Sequence, residues 1–383
     1  MITIREVHGE ERIRIRRLIP TYAFEASPPL TSEEIIRSYN VEDSSSRYYT
    51  LFEDDQPLVT AGDDEMQHNV RGKIVTAGSV WNVASLPQAR RKGYVRQMIK
   101  HVLTQNREKN MPISLLYPFR ESFYQRLGYI TITRQQLVKF STAPLAPLLK
   151  HPFEGEIELI YLPDNPQIYT AFLTDLLQQI HGFGVFNASD EIFKTYGKQS
   201  WLALARFDGE VQGVMLYRIA DKAFRATRFL FKTSAAKYLM LEWIARHIDQ
   251  TEEAEIRLAP YEIPQTWLAD LKVTPQYVNQ PMGRVVDVMQ LQGIPAGEGA
   301  FTAQIIDSLL PWNNDVFHFE SVDGQLQIQP AKEAEFELHI QGLTALLYGA
   351  HDVSDFVFRG WGHPSAIVRQ MFPPAIPFVN EVF

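Results

Sequence analysis

The segment NVASLPQARRKGYVRQMIKHVL, Asn82–Leu103, begins like a buried strand and continues like an amphipathic helix. Its second half carries apolar residues at helical spacing, from Val95 to Leu103. Between the two halves stand Arg90-Arg91-Lys92-Gly93, where the chain turns into the helix. A helix N-terminus already has unpaired N–H groups and the positive pole of the helix dipole. Because added cations are unfavourable there, the segment predicts that an anion binds at this turn.

The composition of the turn favours a phosphate as that anion. A glycine at 93 lets the backbone approach a pyrophosphate closely, and Arg91, Lys92 and Arg96 can neutralise its charge. The segment is neither a P-loop nor a dinucleotide fingerprint, since it lacks GxxxxGK and GxGxxG. On these residues alone, a solvated basic turn stays open as the alternative.

Length and composition narrow the class of protein. A chain of 383 residues predicts two or three domains, because one core rarely grows past about 250 residues. The net charge of −8 argues against general nucleic-acid binding. The sequence has no cysteine and no HExxH or HxH pair, so we expect neither a disulfide nor a metal. No signal peptide and no apolar run of about 18 residues is visible, which predicts a cytoplasmic protein without a membrane partner.

Residues 1–140 alternate strand and helix signals. YYTLFEDDQPLVTAG indicates two strands, KIVTAGSVWNVAS a long strand, and RESFYQRLGY a helical turn closed by Gly128. ITITRQQLVKF is interpreted as one further strand. The proline-rich stretch STAPLAPLLKHPFEG then predicts a domain boundary.

The rest of the chain falls into two parts. Residues 156–280 repeat a similar order, with a hairpin at Asp208-Gly209 but without an Arg-rich turn. From about 282 the pattern changes: TAQIIDSLLP is interpreted as a helix, and a hairpin turns at Asp323-Gly324. The apolar tail MFPPAIPFVNEVF is unusual for a terminus, so we expect it to be docked.

Two segments carry a family resemblance: SVWNVASLPQARRKGYVRQMI and YPFRESFYQRLGY resemble the acetyl-CoA-binding core of GNAT N-acetyltransferases. Over its whole length the chain is similar to the enhanced intracellular survival (Eis) branch. The resemblance implies an α/β (α+β) protein of tandem GNAT folds, the second degenerate, followed by a sterol-carrier-protein-like domain. The implied boundaries are 1–142, 143–281 and 282–383. Family members are hexameric, so a homo-hexamer is expected.

The resemblance also implies how acetyl-CoA is held. Val83, Ala84 and Ser85 would pair their backbone with the pantetheine arm. Main-chain N–H groups would chiefly hold the pyrophosphate, over the run Arg91, Lys92, Gly93, Tyr94, Val95 and Arg96. Phe119 and Arg120 would lie along the far side of the cofactor. Val95 departs from the general GNAT pattern, in which Gly or Ala is common, and leaves slightly less room beside the pyrophosphate.

Two residues would carry the chemistry. The resemblance assigns to Tyr124 the protonation of the departing thiolate, although a core tyrosine is the structural alternative among 16 tyrosines. The strand 73–83 has no carboxylate to act as base, which fits the Eis pattern of a C-terminal α-carboxylate, here that of Phe383. Burial would have to raise the pKa of that carboxylate above its reference of roughly 3.3–3.7. His68, interpreted as lying in a polar loop, is the competing base.

The acceptor implied is a small-molecule amine or a lysine side chain. Tyr22, Phe24 and Glu25 follow the first helix, and Trp81 lies near the expected reaction centre. Aromatic walls with a carboxylate suit an aminoglycoside or a polyamine, though each residue taken singly fits a structural role equally well. The rival hypothesis is a non-catalytic protein that senses acetyl-CoA or binds a lipid.

Overall fold

The computed structural model describes residues 1–25, 46–187, 200–278 and 280–381, without the side chain of Glu25. The chain divides into two compact units. Unit 1 comprises Met1–Ile132, Pro281–Pro377 and the chain end from Glu381, and unit 2 comprises Thr133–Gln280 and Phe378–Asn380. The division into three domains at 142 and 281 stays a prediction. No helix among the described residues is long and apolar enough to cross a bilayer.

The described strands are, in chain order, β1 (Ile2–Glu6), β2 (Ser46–Glu53), β3 (Gln56–Val70), β4 (Lys73–Ser85), β5 (Ile113–Leu116), β6 (Ile130–Thr131), β7 (Gln135–Ser141), β8 (Glu156–Tyr161), β9 (Gly184–Phe186), β10 (Trp201–Phe207), β11 (Glu210–Ala220), β12 (Ala223–Phe231), β13 (Glu253–Leu258), β14 (Thr274–Val278), β15 (Met282–Val285), β16 (Ala300–Ile306), β17 (Val316–Val322), β18 (Gln325–Pro330) and β19 (Phe336–His339). The described α-helices are α1 (Gly9–Pro20), α2 (Tyr94–Glu108), α3 (Glu121–Gln125), α4 (Pro166–Gln179), α5 (Ser234–Ala245), α6 (Ile340–Tyr348), α7 (Phe356–Arg359) and α8 (Ile367–Met371).

The main sheet of unit 1 has the order β1-β2-β3-β4-β5-β15-β6. Its neighbours are antiparallel except β4 and β5, which run parallel and are joined by α2. Helix α2 buries Met98, Ile99, Val102 and Leu103 in one core with residues of β2, β3 and β4. The helical spacing seen in the sequence is thus the face that packs on the sheet.

Unit 2 repeats this connectivity in a sheet of order β14-β7-β13-β12-β11-β10-β8. Strands β10, β11 and β12 are antiparallel neighbours, and β12 runs parallel to β13 across α5, as β4 does to β5 across α2. Phe224, Met240 and Ile256 lie in its core. The predicted tandem GNAT architecture is confirmed.

The two sheets draw strands from unexpected parts of the chain. The segment ITITRQQLVKF is not one strand: β6 pairs with β15 in unit 1, whereas β7 pairs with β13 and β14 in unit 2. Strand β15 follows unit 2 in the sequence, yet it lies between β5 and β6. Alternating polarity predicts extended backbone but not which sheet receives it, and this explains the error.

A third sheet has four strands in the order β18-β17-β16-β19, and α6 follows β19 directly in the sequence. The prediction of a helix for TAQIIDSLLP was wrong, because residues 300–306 form β16. Phe301, Ala303 and Ile305 are buried while the residues between them are half-buried, which is the period of two of a strand. The hairpin at Asp323-Gly324 is present as predicted.

The apolar tail is docked as expected. In unit 2, Phe378 and Val379 are buried, and the backbone N–H of Phe378 donates to the carbonyl of His181 at 2.9 Å. The side-chain oxygen of Asn380 accepts from the N–H of Gly184 at 2.8 Å. These hydrogen bonds order a terminus that would otherwise fray.

Candidate functional site

An opening between two parallel strands forms the centre of the candidate site. The pairing of β4 with β5 ends at Val80 and Leu116, although β4 continues to Ser85 along β3. A register shift in the β3–β4 pairing, together with a positive φ of 51° at Asn82, bends β4 at this point. Among the described strands, none pairs with the β5-facing edge of β4 beyond Val80. Val83, Ala84 and Ser85 lie on this edge, where backbone groups are available to an extended ligand.

The basic turn follows this strand end after a short 3-10 turn, Pro87–Ala89. Arg91, Lys92 and Gly93 are exposed, and Gly93 is the N-cap of α2 with φ +79°. No side chain caps the helix, and its first backbone hydrogen bond runs from the N–H of Gln97 to the carbonyl of Gly93. The N–H groups of the first turn, Tyr94 to Arg96, therefore have no acceptor among the described residues. Such a helix end fits a phosphate group.

The charges of the turn are partly balanced. Lys92 Nζ lies 3.1 Å from a carboxylate oxygen of Glu53, and the hydroxyl of Tyr94 donates to the same carboxylate. The hydrogen bond from Tyr94 and, to a smaller extent, that from Lys92 hold the pKa of Glu53 below its ordinary value. Arg96 donates to the carbonyl of Ser308. Arg91 has a positive φ of 62°. Its side chain is exposed, so its guanidinium can reach an anionic ligand.

An aromatic cluster follows β5. Phe119 is 70% exposed, and its ring centroid lies 5.3 Å from that of Phe123 and 5.9 Å from that of Tyr124. Arg120 is exposed and is the N-cap of α3. An exposed phenylalanine of this kind is suited to covering an apolar part of a ligand.

Tyr124 itself is only 3% exposed and lies on α3. Burial raises the pKa of its phenol well above the ordinary value, with no contribution from a charge or a hydrogen bond. A phenol of this kind stays protonated at neutral pH, so it has a proton to give. The neighbouring Tyr129 is fully buried, and its hydroxyl lies 2.8 Å from Ser114 Oγ.

Phe383, the predicted base, lies outside the described residues. The chain is described as far as Glu381, whose carbonyl accepts a hydrogen bond from the hydroxyl of Tyr117 at 2.6 Å. Tyr117 directly follows β5. In unit 1, therefore, the end of the described chain lies beside the segment that leads to Tyr124.

The interpretation of His68 as a loop residue was wrong. His68 lies within β3, is fully buried, and has its Nε2 atom 2.9 Å from the hydroxyl of Tyr348. Met66, His68, Asn69 and Val70 are all buried. A buried, bonded imidazole of this kind has a structural role in the core and no access to an incoming amine.

The acceptor candidates occupy two places. Tyr22 and Phe24 are exposed on a π-helical turn, Thr21–Glu25, which continues α1. Trp81 covers Gly62 on the neighbouring strand, where an added Cβ atom would lie 2.2 Å from the ring. The guanidinium of Arg16 lies 5.2 Å from the Trp81 ring centroid. The indole of Trp81 therefore already makes a cation–π contact within the protein, to Arg16.

Two buried ion pairs were missed by the sequence analysis. Arg284 of β15 and Asp307 are both fully or almost fully buried and lie 2.5 Å apart. Arg47 and Asp63 form a second such pair, also at 2.5 Å. Arg284 is the only charged residue of β15, and a charge in a buried strand requires a partner, although this signal does not identify the partner. No group of three or more potential metal ligands occurs among the described side chains.

Comparisons with known proteins agree with this geometry. Residues 3–132 match the acetyltransferase (GNAT) domain, and residues 287–378 match the sterol carrier protein domain. The chain carries a GNAT acetyltransferase domain. The opening beside β4 and the turn at Gly93 both lie within it, which supports an acetyltransferase of this class. No curated protein sequence is similar enough to match the chain.

Solved structures show the same fold over the full length. A probable N-acyltransferase of Enterococcus faecalis is 18% identical with a TM-score of 0.88, and a GCN5-related N-acetyltransferase of Anabaena variabilis is 18% identical with a TM-score of 0.87. Eis1 of Mycobacterium abscessus is 16% identical with a TM-score of 0.77. In all three pairs 100% of each chain is covered. The predicted resemblance to the Eis group is confirmed for the fold, the GNAT domain and the C-terminal sterol carrier protein domain.

Proposed function

We propose that the protein transfers the acetyl group of acetyl-CoA to a primary amine, such as that of an aminoglycoside, a polyamine or a lysine side chain. The observation that carries the proposal is the opening of β4 from β5 shortly before an uncapped helix N-terminus. An extended arm fits the strand edge, and a pyrophosphate fits the adjoining turn. The residues proposed to bind acetyl-CoA are Val83, Ala84, Ser85, Arg91, Lys92, Gly93, Tyr94, Val95, Arg96, Phe119 and Arg120.

The proposed reaction is a direct transfer without an acyl-enzyme, consistent with the absence of cysteine. The amine nitrogen forms a bond to the thioester carbon, and the carbon–sulfur bond breaks. The α-carboxylate of Phe383 takes a proton from the amine, and Tyr124 gives a proton to the departing sulfur. Tyr124 is uncharged at neutral pH and lies on the helix that follows β5. The hydroxyl of Tyr117 donates to the carbonyl of Glu381, at the end of the described chain. These two observations support the two proposed roles.

A pair of variants tests the proposed roles. With acetyl-CoA and a panel of amines, Tyr124→Phe should lower kcat at least about tenfold, since an acid–base group contributes roughly 10²–10⁴. One glycine added after Phe383 should lower kcat similarly, because it displaces the carboxylate. Calorimetry should give an unchanged Kd for acetyl-CoA in both.

Each variant has a matched control. Tyr169→Phe alters a fully buried tyrosine on α4 in unit 2, and a glycine inserted after the exposed Met1 lengthens the other end. Both should retain wild-type kcat. Wild-type turnover in the Tyr124→Phe variant would remove Tyr124 from the chemistry, and wild-type turnover with the added C-terminal glycine would remove the Phe383 carboxylate. Acetyl-CoA binding without transfer to any amine of the panel would favour the sensor hypothesis.

The proposal includes a homo-hexamer, which the resemblance implies. Exposed apolar residues in the C-terminal part of unit 1, Phe358 and Ile376 among them, support an assembly that covers them. Sedimentation equilibrium measures its mass, and a monomer would contradict this part.

A further inference from the structure

A buried arginine connects the C-terminal part of unit 1 to the turn that follows Tyr124. Arg284 has no exposed surface. Its guanidinium donates to the carbonyl of Leu127, to the carboxylate of Asp307 at 2.5 Å and to the carbonyl of Val285 at 3.0 Å. A planar guanidinium can satisfy three such acceptors at once, and an ammonium cannot match that geometry.

The turn bound by Arg284 fixes the backbone of Tyr124. The carbonyl of Tyr124 accepts from the N–H groups of Leu127 at 2.9 Å and Tyr129 at 3.2 Å. Gly128 lies between them at φ +87°, and an added Cβ there would be 2.6 Å from the Arg284 guanidinium. The Tyr129 ring lies between the two, 5.9 Å from Arg284 and 6.0 Å from the Tyr124 ring. Any movement of Arg284 is therefore transmitted to Tyr124 through directly packed groups.

Asp307 is in turn held firmly. One carboxylate oxygen accepts from the N–H groups of Leu309 and Leu310 at 3.0 and 3.1 Å, and the other accepts from Asn313 at 3.0 Å. Ser308, inside this turn, accepts a hydrogen bond from Arg96 on the basic helix end. One short turn thus contacts both the proposed pyrophosphate site and, through Arg284, the segment that carries Tyr124.

We propose that Arg284 is a positioning residue, which together with Asp307 places the Tyr124 hydroxyl for protonation of the thiolate. This inference rests on the proposed role of Tyr124. It gives the C-terminal part of the chain a role in assembling the acid, in addition to its proposed delivery of the base. Removing the guanidinium of Arg284 would leave the buried carboxylate of Asp307 without its cation, which could unfold the protein. The milder Arg284→Lys keeps a positive charge and is therefore the informative change.

A double-mutant cycle with the full-length chain tests this proposal. Arg284→Lys should lower kcat about tenfold to a hundredfold, since a displaced acid loses part of its contribution, while the Kd for acetyl-CoA stays within about twofold. In the Tyr124→Phe background the same change should lower kcat no further, because the hydroxyl it positions is gone. Arg107→Lys is the matched control. Arg107, on α2, pairs with Asp287 of the same C-terminal part at 2.6 Å, and this variant should keep wild-type kcat.

Additive losses in the cycle, or wild-type kcat in a folded Arg284→Lys variant, would overturn the proposal. If circular dichroism shows that Arg284→Lys is unfolded, Asp307→Asn replaces it in the same cycle, since it keeps the side-chain size and an acceptor oxygen. A wild-type rate in Tyr124→Phe alone would instead show that the role proposed for Tyr124 is wrong. The two failures therefore have different signatures.

Discussion

Asp63 is a carboxylate with no exposed surface, lying on β3 beside the guanidinium of Arg47. Burial raises the pKa of Asp63 to about 7, in spite of the opposing effect of Arg47. In the unfolded chain the same group ionises near its ordinary pKa of 3.8. Between these two pH values the folded state holds a proton that the unfolded state has lost, so stability should fall as pH rises through this window.

Asp63→Asn, which resembles the protonated acid in shape, tests this sign. Urea unfolding measures the free energy of unfolding of the wild type and of the variant at each pH. The wild-type value minus the variant value should be larger at pH 5 than at pH 8, by on the order of a few kcal/mol. An advantage that grows with pH would mean that Arg47 dominates and that the pKa of Asp63 is lowered.

At the scale of the element, the basic turn depends on the backbone of Gly93. Its φ of +79° is a conformation that β-branched residues rarely adopt, although an added Cβ would meet no atom within 4 Å. A substitution therefore changes the conformation of the turn without a steric clash in the fold itself.

Gly93→Val should weaken acetyl-CoA binding at least about a hundredfold, because the N–H groups of the first turn would no longer converge on one anion. Gly209→Val is a close control: Gly209 has φ +81° and equally open surroundings, but it lies in a hairpin of unit 2. We expect similar losses of Tm in both variants and normal binding only in the control, by calorimetry. Normal binding in Gly93→Val would show that the turn is not the pyrophosphate site.

Elements were predictable from the sequence where the signal is local. The helix after Gly93, the hairpins at Asp208 and Asp323 and the long β4 strand follow from side-chain period and turn residues. The site residues near Gly93 and Tyr124 came from motif resemblance, and their roles stay predictions. Partners distant in sequence were not predictable, since neither the insertion of β15 nor the Arg284–Asp307 pair leaves a local pattern.

At the scale of the whole molecule, the sheet of unit 1 is incomplete without residues that follow unit 2. All four residues of β15 are buried, and they pair with β5 on one side and β6 on the other. A fragment of residues 1–142 would expose both edges and the core beneath them.

We therefore expect the fragment 1–142 to bind no acetyl-CoA and to bind the dye ANS strongly, whereas the full chain does the reverse. Calorimetry and fluorescence measure these two properties. A fragment that is monomeric, well ordered by NMR and competent to bind acetyl-CoA would show that β15 is dispensable.

The position of β15 in the sequence, after unit 2, also sets an order of events during translation. The main sheet of unit 1 begins at residue 2, but the last of its strands in the sequence, β15, is complete only when Val285 has been synthesised. Until that residue leaves the ribosome, β5 and β6 lack the neighbour that joins them. A polypeptide released early would therefore present open β-edges to chaperones and proteases instead of a working acetyltransferase.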